Sequence, residues 1–108
     1  MKNRVLAAET SAEVGKNITV AGWVHSRRDH GGLIFIDLRD HTGLVQLVIN
    51  PDKPAAFKLA ESLRDEFVIR ASGVVTERGK GLKNPNIASG DVEIVVENLE
   101  ILNRAETL

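Results

Sequence analysis

In the stretch Leu33-Ile34-Phe35-Ile36-Asp37-Leu38-Arg39-Asp40, an extended backbone would send Ile34, Ile36 and Leu38 to one face and Phe35, Asp37 and Arg39 to the other. The first face is apolar and belongs in a core. The second carries an aromatic ring among charges, on the side that should meet water. With three Phe, one Trp and no Tyr in 108 residues, the chain has few aromatics to leave at its surface. An outward ring beside polar groups on a sheet is a stacking platform for an unpaired nucleobase, so the chemistry at issue is a non-covalent grip on single-stranded nucleic acid. The plainer alternative is a ring packed under a loop or against another subunit, and the strand alone leaves both open.

Other groups could share that face. If Val45, Leu47 and Ile49 point inward, Gln46 falls on the Phe35 side, where its carboxamide offers two donors and an acceptor. Arg78 and Glu93 are outward by the same reasoning in later strands. Two basic groups, Arg27-Arg28 and Arg78-Lys80-Lys83, are candidate patches, although such groups are more often solvated surface. Covalent and metal chemistry have little to work with. No cysteine is present, which excludes disulfides and thiolate ligands, and His25, His30 and His41 lack metal-ligand spacing, so no metal site is expected. No Gly-rich phosphate loop occurs, and no catalytic residue is expected.

Composition sets the frame for these groups. The length suits one domain with a single core, and 43% apolar with 27% charged residues is ordinary for a folded chain. A net charge of −1 argues against nonspecific coating of duplex DNA, so any nucleic-acid binding must be local. No apolar run reaches the ~20 residues of a membrane helix. Met1-Lys2-Asn3-Arg4 leads into Ala and Glu rather than a signal-peptide core, giving a cytoplasmic expectation.

Strand and turn signals must position the candidates. Thr10-Ser11-Ala12-Glu13 has the form of a helix-start capping box that Gly15 stops after one turn. A first strand is expected from Ile18 to about Arg28, bent or bulged at Gly22, with Trp23 in the core near the bend (a second stacking platform being its alternative). Asp29-His30-Gly31-Gly32 turns into the second strand, Leu33 to Asp40, and His41-Thr42-Gly43 into the third, Leu44 to Asn50. Pro54 suits a helix start, and Ala56, Leu59, Ala60 and Leu63 recur at helical spacing, predicting a helix to Arg64. A fourth strand, Phe67 to Arg78, turns Phe67, Ile69, Ala71 and Val75 inward and Arg70, Thr76 and Arg78 outward. A polar loop covers residues 79–90, and a fifth strand starts at Asp91 with a bulge near Asn98. The predicted class is all-β with one helix: an OB-fold, a five-stranded Greek-key barrel with the helix between strands 3 and 4.

Gly22-Trp23-Val24, Arg27-Arg28-Asp29-His30-Gly31-Gly32 and Phe35-Ile36-Asp37-Leu38-Arg39-Asp40 closely resemble the N-terminal anticodon-binding domain of bacterial aspartyl-tRNA synthetases. The likeness continues through Gly43-Leu44-Val45-Gln46, Asn84-Pro85-Asn86, Ser89-Gly90 and Leu102-Asn103-Arg104-Ala105-Glu106-Thr107. It implies that residues 1–108 are an OB-fold fragment of a class II ligase whose catalytic domain lies elsewhere. It also implies recognition of the G-U-C anticodon of tRNA(Asp), ATP and Mg used only by the absent catalytic part, and a homodimeric parent with a monomeric isolated domain. By that resemblance Phe35 stacks on the middle base, U, and Gln46 reads its edge. Arg28 lies near the same base and the backbone, while Arg78, Asn84 and Glu93 contact the outer bases. His30 and Gly81 match synthetases that also accept tRNA(Asn), anticodon G-U-U; a turn residue and a residue of a Gly-rich loop need no such role. Two other classes stay open: a freestanding OB module for single-stranded nucleic acid without sequence preference, and a protein–protein adaptor using Phe35.

Overall fold

The computed structural model describes residues 4–79 and 81–104. Lys80, Met1-Lys2-Asn3 and Ala105-Glu106-Thr107 of the segments named above lie outside the described residues. Five strands follow in chain order: β1 (Asn17–His30), β2 (Leu33–Asp40), β3 (Gly43–Ile49), β4 (Val68–Glu77) and β5 (Val92–Asn103). The helix α1 (Pro54–Glu61) falls between β3 and β4, and a 3-10 segment, Ala7–Glu13, precedes β1. The strands close into a barrel in the order β1-β2-β3-β5-β4, antiparallel except where β3 meets β5. This is the OB-fold arrangement.

Period-two alternation builds the interior. Ile18, Val20 and Val24 of β1, Ile34, Ile36 and Leu38 of β2, and Val45, Leu47 and Ile49 of β3 are buried together. Ile69, Ala71 and Val75 of β4 meet them with Val92, Ile94 and Val96 of β5. Each such side chain contributes about 1.5–3 kcal/mol of burial. Pro54 starts α1, which buries Ala56 and Ala60 and packs mainly on β5. The helix ends at Glu61, short of Arg64: the Ser62 hydroxyl donates to Leu59 O at 2.7 Å, and Arg27 Nη1 donates to Glu61 O at 2.6 Å. Leu63 is nevertheless buried, as its spacing requires.

The hairpin between β1 and β2 turns on Gly31 and Gly32, both at positive φ (60° and 82°), the conformation of a two-residue primed turn. In β5 the register against β4 slips at Glu97, one residue from the expected bulge. Three local expectations need correction. Thr10–Glu13 is the end of the 3-10 segment and not its start, because the chain is capped earlier: Leu6 N donates to the Glu9 carboxylate at 3.1 Å. The β1 bulge lies at His25, between Val24↔Leu38 and Ser26↔Asp37, and not at Gly22. Trp23 is outside the core, 37% exposed on the outer wall where β1 changes partner from β4 to β2.

Gly22 has a different task at that corner. It pairs in register with Ile69, and a Cβ there would overlap the Arg39 carbonyl oxygen. Backbone cannot yield as a side-chain tip can. Gly22→Ala should therefore lower the urea unfolding midpoint, at a cost of about 1–3 kcal/mol. An unchanged midpoint would refute the close-approach account.

Candidate functional site

The bulge at His25 decides what the outer face of β1 presents. Val24 points into the barrel, and strict alternation would send Ser26 and Arg28 inward after it. The extra residue reverses the phase, so Ser26 lies opposite Asp37 and Arg28 opposite Phe35. On β2 and β3 the register pairs Phe35 with Val48 and Asp37 with Gln46. Arg28, Phe35, Asp37 and Gln46 thus share one outer face across three strands.

Beside that face lies a cleft of about 660 Å³, whose wall includes Arg28, His30, Phe35, Gln46, Arg78 and Glu93. Six of the eight candidate residues meet there. Leu33, Val48 and Leu82 supply the rest of its apolar lining. Phe35 is half-buried among them, with its ring on the cleft side of the sheet and not in the barrel interior.

The polar groups form one chain of hydrogen bonds. Asp37 accepts from Arg28 Nη1 at 2.6 Å, from Arg28 Nη2 at 3.3 Å and from the Ser26 hydroxyl at 2.9 Å. Arg28 Nη2 also donates to Gln46 Oε1 at 3.1 Å, and Gln46 Nε2 donates to Glu93 Oε1 at 2.9 Å. Gln46 is on the expected face but is not solvated: this network and its neighbours leave it 8% exposed. Arg78 is equally buried and anchored by Nε donating to Val92 O at 3.0 Å. Burial alone would push the Asp37 carboxyl up. Hydrogen bonds from Arg28 and Ser26, with the fields of Arg28 and Arg78, outweigh it and hold the group below its ordinary value.

Among the described residues, neither basic group gathers into a patch. Arg27 turns away from Arg28, pairing with Asp29 at 2.9 Å and reaching the end of α1. Arg78 enters the cleft, whereas Lys83 lies with Asn84 on a separate shallow groove. Asn84 is the candidate that the fold leaves out of the cleft. Its side-chain oxygen accepts from Asn86 N at 3.0 Å, and its amide N–H donates to Gly90 O at 2.8 Å, closing the loop on itself. Gly81 does not line the cleft either. It sits at φ 84° in a turn closed by Leu82 N–H donating to Gly79 O, and that turn holds Leu82 at the cleft, 69% exposed.

The sequence pattern does not single out Ser26, Val48 or Leu82. Val48 was within its reach, because the alternation that places Gln46 also places Val48 opposite Phe35. Ser26 is hidden by the bulge, which sets it opposite Asp37. Leu82, in an irregular loop, carries no sequence signal. Among the described residues, no cluster of His, Asp and Glu could hold a metal ion.

Residues 18–102 match the tRNA anticodon family of OB-fold nucleic acid binding domains. The chain is 52% identical over 98 residues to an aspartate–tRNA(Asp/Asn) ligase of Moorella thermoacetica, an alignment covering 91% of this chain. It spans only 16% of that relative's length. Among solved structures it is similar to the asparaginyl-tRNA synthetase of Pyrococcus horikoshii complexed with asparaginyl-adenylate, at TM-score 0.80 and 28% identity, covering 98% of this chain and 24% of that one. It is also similar to an OBody bound to hen egg-white lysozyme, at TM-score 0.80 and 26% identity over 97% of this chain and 96% of that one.

The lowered Asp37 carboxyl has a pH signature. Its folded-state value lies below the unfolded 3.8, so its stabilisation is complete above 3.8 and disappears as pH falls through the folded value. Asp37→Asn should cost on the order of 1 kcal/mol at neutral pH, the half-exposed Arg28 being partly screened. That gap should close below 3.8 in acid unfolding curves of the two proteins. A gap independent of pH would refute the ion-pair account.

Proposed function

The chain belongs to the tRNA anticodon family of OB-fold nucleic acid binding domains, and from that premise we propose that its cleft reads the anticodon of tRNA(Asp), G-U-C, for an aspartate–tRNA ligase. The observation that carries this reading is Phe35: a ring on the cleft side of a sheet, in a cleft whose wall also includes Arg28, Gln46, Arg78 and Glu93. A splayed middle base stacks on the ring, a contact worth ~1–3 kcal/mol and tolerant of base identity. Choice among bases then comes from the polar rim. Gln46 addresses the pyrimidine edge with its remaining N–H and lone pair. Glu93, with a second carboxylate oxygen, suits the N–H donors of guanine, and Arg78 the acceptors of an outer base or the backbone. Asn84 joins only through the loop, on the far side of which it now lies.

His30 lines the cleft beside the glycine turn, and in this reading it faces the third anticodon position. With Gly81 in the turn that carries Leu82, it supports acceptance of tRNA(Asn) as well. The Moorella thermoacetica relative, a ligase for both tRNAs by its name, points the same way. In this reading ATP and Mg serve other parts of the ligase, and the work is done in the cytoplasm. A module without sequence preference would need more stacking rings and a net positive groove; in this cleft Arg28 is paired with Asp37, and Glu93 adds a further carboxylate.

Anticodon stem-loops bearing G-U-C, G-U-U and an unrelated triplet, titrated at fixed salt, test the proposal. G-U-C should bind at least about tenfold more tightly than the unrelated loop, each wrong base costing ~1–3 kcal/mol. Equal binding would favour the generic module, and no binding the adaptor. Phe35→Ala should weaken G-U-C and G-U-U alike by about 5- to 150-fold, the equivalent of one lost stack; unchanged affinity would remove the stacking role. His30→Leu should penalise G-U-U more than G-U-C, and an equal effect would end the relaxed-specificity reading.

A further inference from the structure

Arg28 has little left to offer a ligand. Each of its terminal nitrogens already has two protein acceptors: Nη1 the Ser26 hydroxyl and Asp37, Nη2 Asp37 and the Gln46 carbonyl oxygen. Its position beside Phe35 suggests a reader of RNA, but its bonds are those of a brace. On the far side of Gln46, the Glu93 carboxylate accepts from Nε2.

These two flanks fix the amide by their chemistry. A guanidinium only donates, so the group facing Arg28 must be the Gln46 oxygen. A carboxylate only accepts, so the group facing Glu93 must be the Gln46 nitrogen. A half-turn about the terminal side-chain bond would set donor against donor and oxygen against oxygen in a site 8% exposed, leaving both flanks unsatisfied. The amide therefore has one orientation, with one N–H and one lone pair remaining at the cleft.

Orientation matters because uracil and cytosine differ by an inversion. Along adjacent edge positions, uracil presents an acceptor (O4) and then a donor (N3–H). Cytosine presents a donor (the N4 amino group) and then an acceptor (N3). A freely turning carboxamide pairs with either by rotating. A fixed one satisfies a single order in a given pose. We infer that the relay Asp37–Arg28–Gln46–Glu93 is a rotational lock on the Gln46 amide, and that the lock turns a contact any pyrimidine could share into selection of uracil over cytosine. Arg28 and Asp37 are then positioning residues acting through Gln46, and Glu93 takes part in the choice at the middle base, not only at an outer one. The inference rests on the anticodon reading above, which supplies the base on Phe35.

Arg28→Lys separates bracing from charge. Lysine keeps the cation that attracts phosphate but cannot span Asp37 and Gln46 with a planar fork. Glu93→Gln replaces an acceptor-only flank with one that tolerates either amide orientation. Stem-loops carrying G-U-C and G-C-C are titrated against wild type, both variants and Gln46→Ala. Wild type should prefer uracil at least about tenfold. Both lock variants should bring the preference to within about threefold, as Gln46→Ala does, with the salt dependence of Arg28→Lys unchanged. A full preference in the lock variants, lost only in Gln46→Ala, would overturn the lock and leave the anticodon reading standing. A wild type indifferent to the middle base would overturn both. A measurement on ligand-free wild type needs no variant to fold: in nitrogen-15 NMR spectra, the Gln46 side-chain amide protons should be well separated and slow to exchange with water. A pair at the positions of a solvated glutamine would overturn the inference.

Discussion

Strand β1 has to satisfy two partners with opposite demands. Over Asn17 to Trp23 it pairs with β4 and must turn Ile18 and Val20 into the core; beyond Trp23 it pairs with β2, whose outer face carries Phe35 and Asp37. A continuous alternation would aim Arg28 at the interior, where an unpaired guanidinium costs several kcal/mol. One extra residue at His25 settles the conflict by reversing the phase after Val24. Arg28 then meets Asp37 and Gln46 on the outer face, which joins β1 to the Gln46–Glu93 contact between β3 and β5. The same reversal lets Arg27 tie the hairpin to the end of α1, so both arginines of the pair serve the barrel in opposite directions.

The cleft separates grip from choice. Phe35 with Leu33, Val48 and Leu82 makes an apolar surface that favours any flat ring. The polar groups are hydrogen-bonded to one another, Arg28 to Asp37 and Gln46 to Glu93, in a chain whose net charge is −1. Little long-range attraction for a polyanion results. What the pairs provide is preorganisation, because groups held by one another have already lost the freedom that binding would otherwise take from them. Discrimination in such a site depends on geometry more than on field strength.

Alternation made much of this legible in the amino-acid string. The inward sets of β2, β3 and β5 are strict period-two patterns, and the Pro54 start with apolar residues at helical spacing located α1. Phe35 and Gln46 were assigned to one face for the same reason. Alternation fails where the backbone skips a beat: nothing in Val24-His25-Ser26 marks the bulge, since no glycine or proline stands there, and with it the aim of Arg28 was hidden. Gln46 was expected in solvent because a strand pattern reports the face and not what covers it. The expected core position of Trp23 near the bend fails because the barrel wall at the corner leaves it outside. Asn84 is fixed by an irregular loop whose path is set by its own hydrogen bonds, to which periodicity is blind.

The loop after β4 and the 3-10 segment meet at a groove separate from the cleft. The Ser11 hydroxyl donates to the Asp91 carboxylate at 2.5 Å, across 80 positions of chain, and Ser89 binds the Leu44 carbonyl nearby. Asp40, at the end of β2, holds the start of the same segment by accepting from Ala7 N at 2.8 Å. The front of the chain is thereby stitched to the base of the loop that bears Leu82 and Asn84. Ser11 and Asp91 form the clasp of that seam: loss of either side chain unties the first turn of the chain from the foot of the loop.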